Sequence, residues 1–270
     1  MDRRQALGAF GAVSLSGLLA ACGGDDAASS GTVTTTTGAT STVETKTTTS
    51  QATAELFDES ARCTVTPELT EGPYYFDVDS IRSDITEDRE GTKLRLALRV
   101  RDAESCEPLD NAVVDIWHCD ALGTYSGFES ASNGDGGGGP PSGPPPSGGG
   151  GGGPGGGAEP TDEKTYLRGA QVTNGEGVVE FTTVYPGWYR GRTVHIHAKV
   201  HLDKTTVLTT QLFTDREWDE KVFAEAPYSE DTGRDTYNDT DGIYDESLVM
   251  TLSADGDGVL GVMTFDVDRS

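Results

Sequence analysis

The sequence has few cysteines, few basic residues and no long apolar run before Cys22, and each shortage argues against a class of site or partner. Its 270 residues include four cysteines without a C-x-x-C pair, which argues against a cysteine-based zinc site. Only 20 Lys and Arg stand against 45 Asp and Glu, so the formal charge is −25 and nucleic acid phosphates would be repelled. The apolar stretch before Cys22 is too short for a comfortable transmembrane helix.

Residues 1–21 have the features of an export signal. Arg3 and Arg4 precede a short apolar run, a pattern typical of a twin-arginine signal. Residues 19–22 (LAAC) resemble a bacterial lipobox, in which the cysteine is acylated; a plain signal peptide with a chance cysteine is the alternative. We expect an exported cell-surface lipoprotein whose only link to a membrane is a lipid on Cys22.

Two segments have little to bury. Residues 22–54 are mostly Thr, Ser, Ala, Gly and Asp, which predicts a disordered tether. Residues 133–157 are nearly all Gly and Pro without a strict Gly-X-Y period, which predicts a disordered surface insertion and argues against collagen. Residues 55–270 are long enough for one domain with its own core.

The remaining chain has the period of β-strands. Several runs alternate polar and apolar residues or follow turn signals, whereas helical periodicity is limited to a short candidate at Glu217–Phe223. This pattern predicts an all-β fold, a β-sandwich of mostly antiparallel strands with long loops. The predicted strands are 93–100, 112–117, 178–184, 193–202, 205–213, 248–252 and 261–267.

Three cysteines remain if Cys22 carries a lipid. Cys63, Cys106 and Cys119 would then lie in an oxidising compartment, where one disulfide and one free thiol is the simplest arrangement. Three pairings are possible, and the spacing does not distinguish among them.

A pair of histidines is the first candidate for chemistry. His195 and His197 are two residues apart in a predicted strand, so their imidazoles point to the same face. Such a pair alone is weak evidence for a metal site. Two tyrosines strengthen it: Tyr189 follows a Pro-Gly turn shortly upstream, and Tyr125 follows the strand that ends near Trp117.

The charge of this donor set favours a trivalent cation. Two neutral imidazoles and two phenolates supply two negative charges, and a hydroxide would complete the neutralisation of a 3+ ion. Zinc usually takes Cys, His and carboxylate, and ferrous oxygenases take two His and one carboxylate. Phenolate is a hard oxygen donor that suits Fe(III).

Four motifs occur in a fixed order and together resemble the intradiol ring-cleavage dioxygenases. These are residues 71–75 (EGPYY), 117–125 (WHCDALGTY), 186–189 (PGWY) and 192–197 (RTVHIH). The resemblance runs from about Thr66 to Phe213, excluding the Gly/Pro insertion. The chain is most similar to the secreted, single-domain branch of the family.

The resemblance implies a role for each matching residue. One non-haem Fe(III) per chain, near one end of the sandwich, would be held by Tyr125, Tyr189, His195 and His197. Further residues would serve the reaction: Arg192 beside the substrate ring, Tyr189 as an exchangeable ligand, Gln211 close to the site, and Gly72, Pro73 and Tyr74 along the pocket. The expected reaction joins O2 to a small aromatic diol and opens the ring between its two hydroxyls, giving a cis,cis-muconate-type product. The oligomeric state, monomer or homodimer, stays open.

Several alternatives compete with this interpretation. The chain could be a non-catalytic prealbumin-like binding module on the cell surface, although the Tyr, Arg and His set would then have no explanation. A zinc hydrolase would lack a carboxylate base in the motifs. We interpret His201 and His118 as non-ligands, prefer Tyr189 over Tyr185 on the family spacing, and expect the acidic stretch 235–245 to be a solvated loop and not a calcium site.

Overall fold

The computed structural model describes residues 29–34, 40–45, 51–57, 63–78, 80–132, 159–203 and 205–269. The export signal and the Gly/Pro insertion 133–157 lie outside these ranges. The elements in the described part are strands β1 (Ser29–Thr34), β2 (Thr40–Thr45), β3 (Lys93–Asp102), β4 (Val113–Trp117), β5 (Arg168–Val172), β6 (Val178–Val184), β7 (His195–Leu202), β8 (Thr205–Phe213), β9 (Thr251–Asp255) and β10 (Gly258–Val267), and short helices α1 (Gln51–Ala54), α2 (Glu129–Ser132) and α3 (Arg216–Val222).

Two four-stranded sheets form the body of the protein. Their strand orders are β6-β3-β10-β9 and β5-β4-β7-β8. All pairings are antiparallel except that of β3 with β10, which run parallel. The predicted all-β sandwich is confirmed.

Alternation along the strands builds the core between the sheets. In β3, Leu94, Leu96, Leu98 and Val100 are fully buried and belong to the same cluster as alternate residues of β7, namely Ile196, Ala198 and Val200. Burying an aliphatic side chain of this size contributes about 1.5–3 kcal/mol. The core therefore fixes which face of β7 points outward.

The outward face of the β5-β4-β7-β8 sheet is covered by the segment 66–76. This segment is tied to β8, because the Leu69 N–H donates to the Thr209 carbonyl and the Thr210 hydroxyl donates to the Pro67 carbonyl (2.9 and 2.8 Å). The residues between this face and its cover are consequently shielded from water.

The described part of the chain before the sandwich contains a hairpin and a short helix. β1 and β2 pair as an antiparallel hairpin, and α1 follows before Phe57 packs on the outward face of the other sheet. Thr and Val dominate both strands, and such β-branched residues favour extended backbone. No helix within the described ranges is long and apolar enough to cross a membrane.

One disulfide joins the N-terminal segment to the sandwich. Cys63 bonds to Cys106 in the turn after β3, with their Cα atoms 5.7 Å apart, and Cys119 is a buried free thiol. This selects one of the three pairings that the sequence allows.

Candidate active site

The two histidines of β7 lie on its outward face, beneath the 66–76 segment. Both are buried, with 1 and 2% of their surfaces exposed, and their ring centres are 4.9 Å apart. Trp117 of β4 is the register partner of His197, and its indole stacks on that imidazole at 4.9 Å and 7°. The indole thereby limits rotation of the His197 ring.

The two predicted tyrosines approach the same point from two turns. The Tyr125 hydroxyl is 3.3 Å and the Tyr189 hydroxyl 3.1 Å from His195 Nε2. The two turns are in contact at Gly123. The φ of Gly123 is +81°, and a Cβ at this position would lie 2.5 Å from the Trp188 carbonyl oxygen. A glycine is therefore required at Gly123 for Tyr125 to reach this point.

Hydrogen bonding defines the tautomer of His195. Its Nδ1 is 2.6 Å from the Thr193 carbonyl oxygen, which can only accept, so Nδ1 carries the proton. The Nε2 lone pair then points at the two phenols. This is the arrangement in which a histidine is ready to bind a metal through Nε2.

Burial sets the charge of all four side chains. Desolvation lowers the pKa of His195 and of His197 well below 6.5, so both imidazoles are neutral. It raises the pKa of Tyr125 and of Tyr189 well above 10, which keeps both phenols protonated until a cation replaces their protons. His197 Nδ1 and Trp117 Nε1 are buried without a partner among the described residues.

Arg192 and Gln211 join this cluster. The Arg192 guanidinium donates from Nη1 to His195 Nε2 (3.3 Å) and from Nη2 to Gln211 Oε1 (2.5 Å). The Gln211 amide in turn donates to the Thr70 carbonyl at 2.8 Å. Gln211 thus links the arginine to Thr70 of the covering segment.

The predicted pocket residues lie at the tip of that segment. Gly72 sits against His197, since a Cβ built there would be 3.3 Å from His197 Cε1, and its φ is +72°. The Tyr74 ring packs 4.8 Å from the Tyr125 ring. Pro73 is exposed in the turn between them. The structure therefore brings Gly72 and Tyr74, more than Pro73, to the histidine–tyrosine cluster.

Comparison with known proteins identifies the family. No protein-family model matches the chain, and no curated protein matches it. Among solved structures, a dioxygenase is 31% identical over 77% of this chain and 95% of its own, with a TM-score of 0.66. An intradiol ring-cleavage dioxygenase from Tetranychus urticae is 29% identical over 76 and 95% (TM-score 0.64). The dioxygenase domain of a carbohydrate-binding fusion from Streptomyces sp. SirexAA-E is 27% identical over 77 and 100% (TM-score 0.52).

The chain belongs to the intradiol ring-cleavage dioxygenases. Like the other members of this family, it is an oxidoreductase. Among the described residues of this dioxygenase, no cluster of three or more His, Cys, Asp or Glu side chains could hold a metal. The oxygen donors that lie beside the two histidines are the hydroxyls of Tyr125 and Tyr189.

The residues that we interpreted as non-ligands lie elsewhere in this dioxygenase. His118 uses both ring nitrogens in packing, with Nδ1 2.7 Å from the Cys119 carbonyl and Nε2 2.8 Å from the Thr183 hydroxyl. Tyr185 donates to Asp219 at 2.8 Å within the core. His201 shares the outward face of β7 but contacts the Thr206 hydroxyl.

One residue of the dioxygenase site was missed, and it departs from the solvated loop that we expected around it. Asp241 belongs to the acidic stretch that we expected to be a solvated loop, yet only 1% of its side chain is exposed and it pairs with Arg192 at 2.9 Å. The two residues are 49 positions apart in the sequence. One Asp among several in an acidic stretch has no feature that would predict its burial. The aromatic wall formed by Trp117, Tyr75 and Phe128 was likewise not predicted.

Proposed function

We propose that this protein uses a non-haem ferric ion to open catechol-type rings between their two hydroxyl-bearing carbons with O2, giving cis,cis-muconate-type products. The observation that carries the proposal is the convergence of the Tyr125 and Tyr189 hydroxyls on His195 Nε2, beside His197. The family supports the reaction class.

The donor set fits a ferric ion. It offers two neutral imidazoles and two phenols that become hard anionic ligands once deprotonated, and it contains no thiol or carboxylate. Such a set carries two negative charges against the three positive charges of the ion, which leaves room for further anionic ligands. When bound, the ion supplies Lewis acidity and a template for both substrate hydroxyls.

The two phenols have different surroundings and are suited to different tasks. Tyr125 is fully buried, whereas Tyr189 is half-buried in the turn beside Arg192. Tyr189 is therefore the phenol nearer to the protein surface. Once a cation has displaced its proton, the Tyr189 oxygen is the one placed to accept a proton from the diol.

Arg192 supplies positive charge next to the reacting ring. Deprotonation of the diol and attack by O2 build negative charge on the substrate, and a fixed guanidinium in a water-poor site stabilises such charge. Nη1 lies 3.3 Å from His195 Nε2, which places it at the same point as both phenols. Gln211 holds the opposite edge of the guanidinium through Nη2.

The first experiment is a visible absorption spectrum of the ferric protein, recorded before and after adding catechol without oxygen. We expect a tyrosinate-to-iron charge-transfer band that shifts when catechol binds, and ring cleavage once oxygen is admitted. A protein that stays colourless after ferric reconstitution would contradict the proposal and favour the binding module.

Single substitutions make the test specific. Tyr125→Phe and His197→Ala should each abolish iron binding and with it the band, whereas Tyr185→Phe, the matched control in the core, should keep both. Arg192→Ala should keep iron and band but lose about 10²–10³-fold in kcat, the usual cost of one preorganised donor. Iron retained at wild-type level in both ligand variants would refute the ligand assignment.

We further propose that the protein is exported and held at the cell surface by a lipid on Cys22. The support is the twin-arginine pattern and the lipobox of residues 1–22. A disulfide between Cys63 and Cys106 is consistent with an oxidising compartment.

A further inference from the structure

Asp241 gathers three N–H donors around one buried carboxylate. Its Oδ2 accepts from Arg192 Nε at 2.9 Å and from the Thr193 N–H at 2.8 Å, while its Oδ1 accepts from the Ile243 N–H at 2.8 Å. Arg192 is the only charged donor among the three. The carboxylate is thus matched to a cation and fixed by the backbone on both sides.

The guanidinium that Asp241 holds is constrained at every corner. Nε donates to the Asp241 carboxylate and Nη2 donates to Gln211 Oε1. The remaining Nη1 is directed at His195 Nε2. Because the guanidinium is planar, fixing two of its nitrogens fixes the direction of the third. Asp241 and Gln211 together therefore aim Nη1 at the point where the two phenols converge.

The loop that carries Asp241 is itself anchored to the site. The Asn238 side chain accepts from the Thr193 hydroxyl at 2.6 Å and donates to the Thr214 carbonyl at 2.8 Å. Asp235 accepts from the Gly191 N–H at 3.0 Å. These contacts flank Arg192 on both sides in sequence and tie the loop to the turn that bears Tyr189 and Arg192.

We propose that Asp241 is a positioning residue for ring cleavage, which keeps the Arg192 guanidinium aimed at the substrate ring through the loop 234–243. This inference rests on the proposed function of the site. Asp241 acts through Arg192 and not on the substrate, since its two oxygens are occupied by Arg192, Thr193 and Ile243. Its effect should therefore appear in turnover and not in metal binding.

An amide is uncharged and cannot accept from all three donors that this carboxylate serves. Asn at position 241 must present its NH2 group either to Arg192 Nε and the Thr193 N–H or to the Ile243 N–H, all of which are donors. Asp239 in the same loop is exposed and serves as the matched control.

The test compares Asp241→Asn with Asp239→Asn in the ferric full-length protein. We expect Asp241→Asn to keep the tyrosinate band and its KM for catechol, and to lose about 10²-fold in kcat, as for loss of one aligned donor. Asp239→Asn should match the wild type. Wild-type kcat in Asp241→Asn would overturn the proposal, as would a loss of band and iron that accounts for all of the lost activity.

Chemical rescue keeps the proposal testable if Asp241→Asn folds poorly. Guanidinium ion at millimolar concentration should restore part of the kcat of Arg192→Ala, because the Asp241 carboxylate still forms the cradle. It should restore none in the Arg192→Ala/Asp241→Asn double variant, in which no buried charge is left unpaired. Equal rescue in both would overturn the positioning role. If the wild type shows neither band nor turnover, the proposed function fails first, which separates the two outcomes.

Discussion

Asp115, on the outward face of β4, belongs to a charged layer behind the site. It is the register partner of Lys199 of β7, and Lys199 forms an ion pair with Glu71 of the covering segment and lies 4.4 Å from the Tyr75 ring centre. Burial, together with repulsion from Asp77, raises the pKa of Asp115 to about 7. The layer thus combines a carboxyl that resists ionisation with an ion pair that pins the cover to β7.

This raised pKa predicts a pH-dependent stability. A folded-state pKa of about 7, against an unfolded value near 3.9, means that the folded protein binds the extra proton between these values. The stabilisation is fully present below about pH 4 and is lost as the pH rises through 7, with an upper limit of about 4 kcal/mol. We expect Asp115→Asn to flatten this slope in urea unfolding between pH 4 and 8. A parallel pH dependence in wild type and variant would contradict the assignment.

At the residue scale, local geometry alone predicted only contacts between residues close in sequence, and the distant Tyr125 and Gln211 were predicted from the family resemblance. His195 and His197 share a strand, and Tyr189 lies on the turn directly before it, so local geometry brings the three together. Asp241 reaches Arg192 only because the loop after α3 folds back over β7 and β8. The local sequence of an acidic loop does not predict that the loop packs against Arg192.

At the scale of elements, strands with clear alternation were predicted well. β6 and β8 match the predicted ranges, and α3 lies within one residue of its prediction, begun by Asp215, whose side chain accepts from the Trp218 N–H. β5 was missed, because Arg168–Val172 contains Gly, Arg and Gln and lacks a regular period. The residues around Leu248 form a 3₁₀ turn, and β9 begins only at Thr251.

The two ends of the Gly/Pro insertion are clasped together by the residues that flank it. Asp162 accepts from the Gly127 N–H (3.0 Å) and the Glu129 N–H (3.1 Å), and the Thr161 N–H donates to the Gly127 carbonyl at 2.7 Å. Lys164 adds an ion pair to Glu129. The turn that carries Tyr125 is therefore held by contacts outside the insertion.

Replacing residues 133–157 by a short Gly/Ser linker should leave the site intact. Loop closure depends weakly on length, so the free energy of unfolding should change by about 1 kcal/mol or less. The ferric absorption band and kcat should equal those of the full chain. As a control, Asp162→Ala in the full chain opens the clasp and should weaken iron retention; a shortened protein that loses iron would show that the insertion itself supports Tyr125.

At the scale of the whole molecule, the parallel contact between β3 and β10 joins the first and last strands of the sandwich. The sequence predicts both strands and the sandwich class, yet it contains no signal for their order or direction, because pairing partners lie far apart in the chain. The Cys63–Cys106 bond is similar: the count of cysteines predicts one disulfide, and only the fold brings these two thiols together.

The proposed anchor can be tested on intact cells. We expect the wild-type protein in the membrane fraction and Cys22→Ser in the soluble extracytoplasmic fraction, since an acyl chain contributes about 0.8 kcal/mol per buried CH2 to membrane binding. Both forms should show the same ferric band, because Cys22 lies well before the folded domain in the sequence. Membrane association that persists in Cys22→Ser would exclude lipidation as the anchor.

Neighbouring residues of β7 point to opposite faces of the sheet and have different roles. Ile196, Ala198 and Val200 belong to the core, while His195, His197 and Lys199 face the covering segment. In this one strand, the even-numbered residues stabilise the fold and the odd-numbered residues provide the groups of the site. The loops above the odd positions can therefore change, and with them the substrate, while the even positions keep the scaffold and His195 and His197 keep the site.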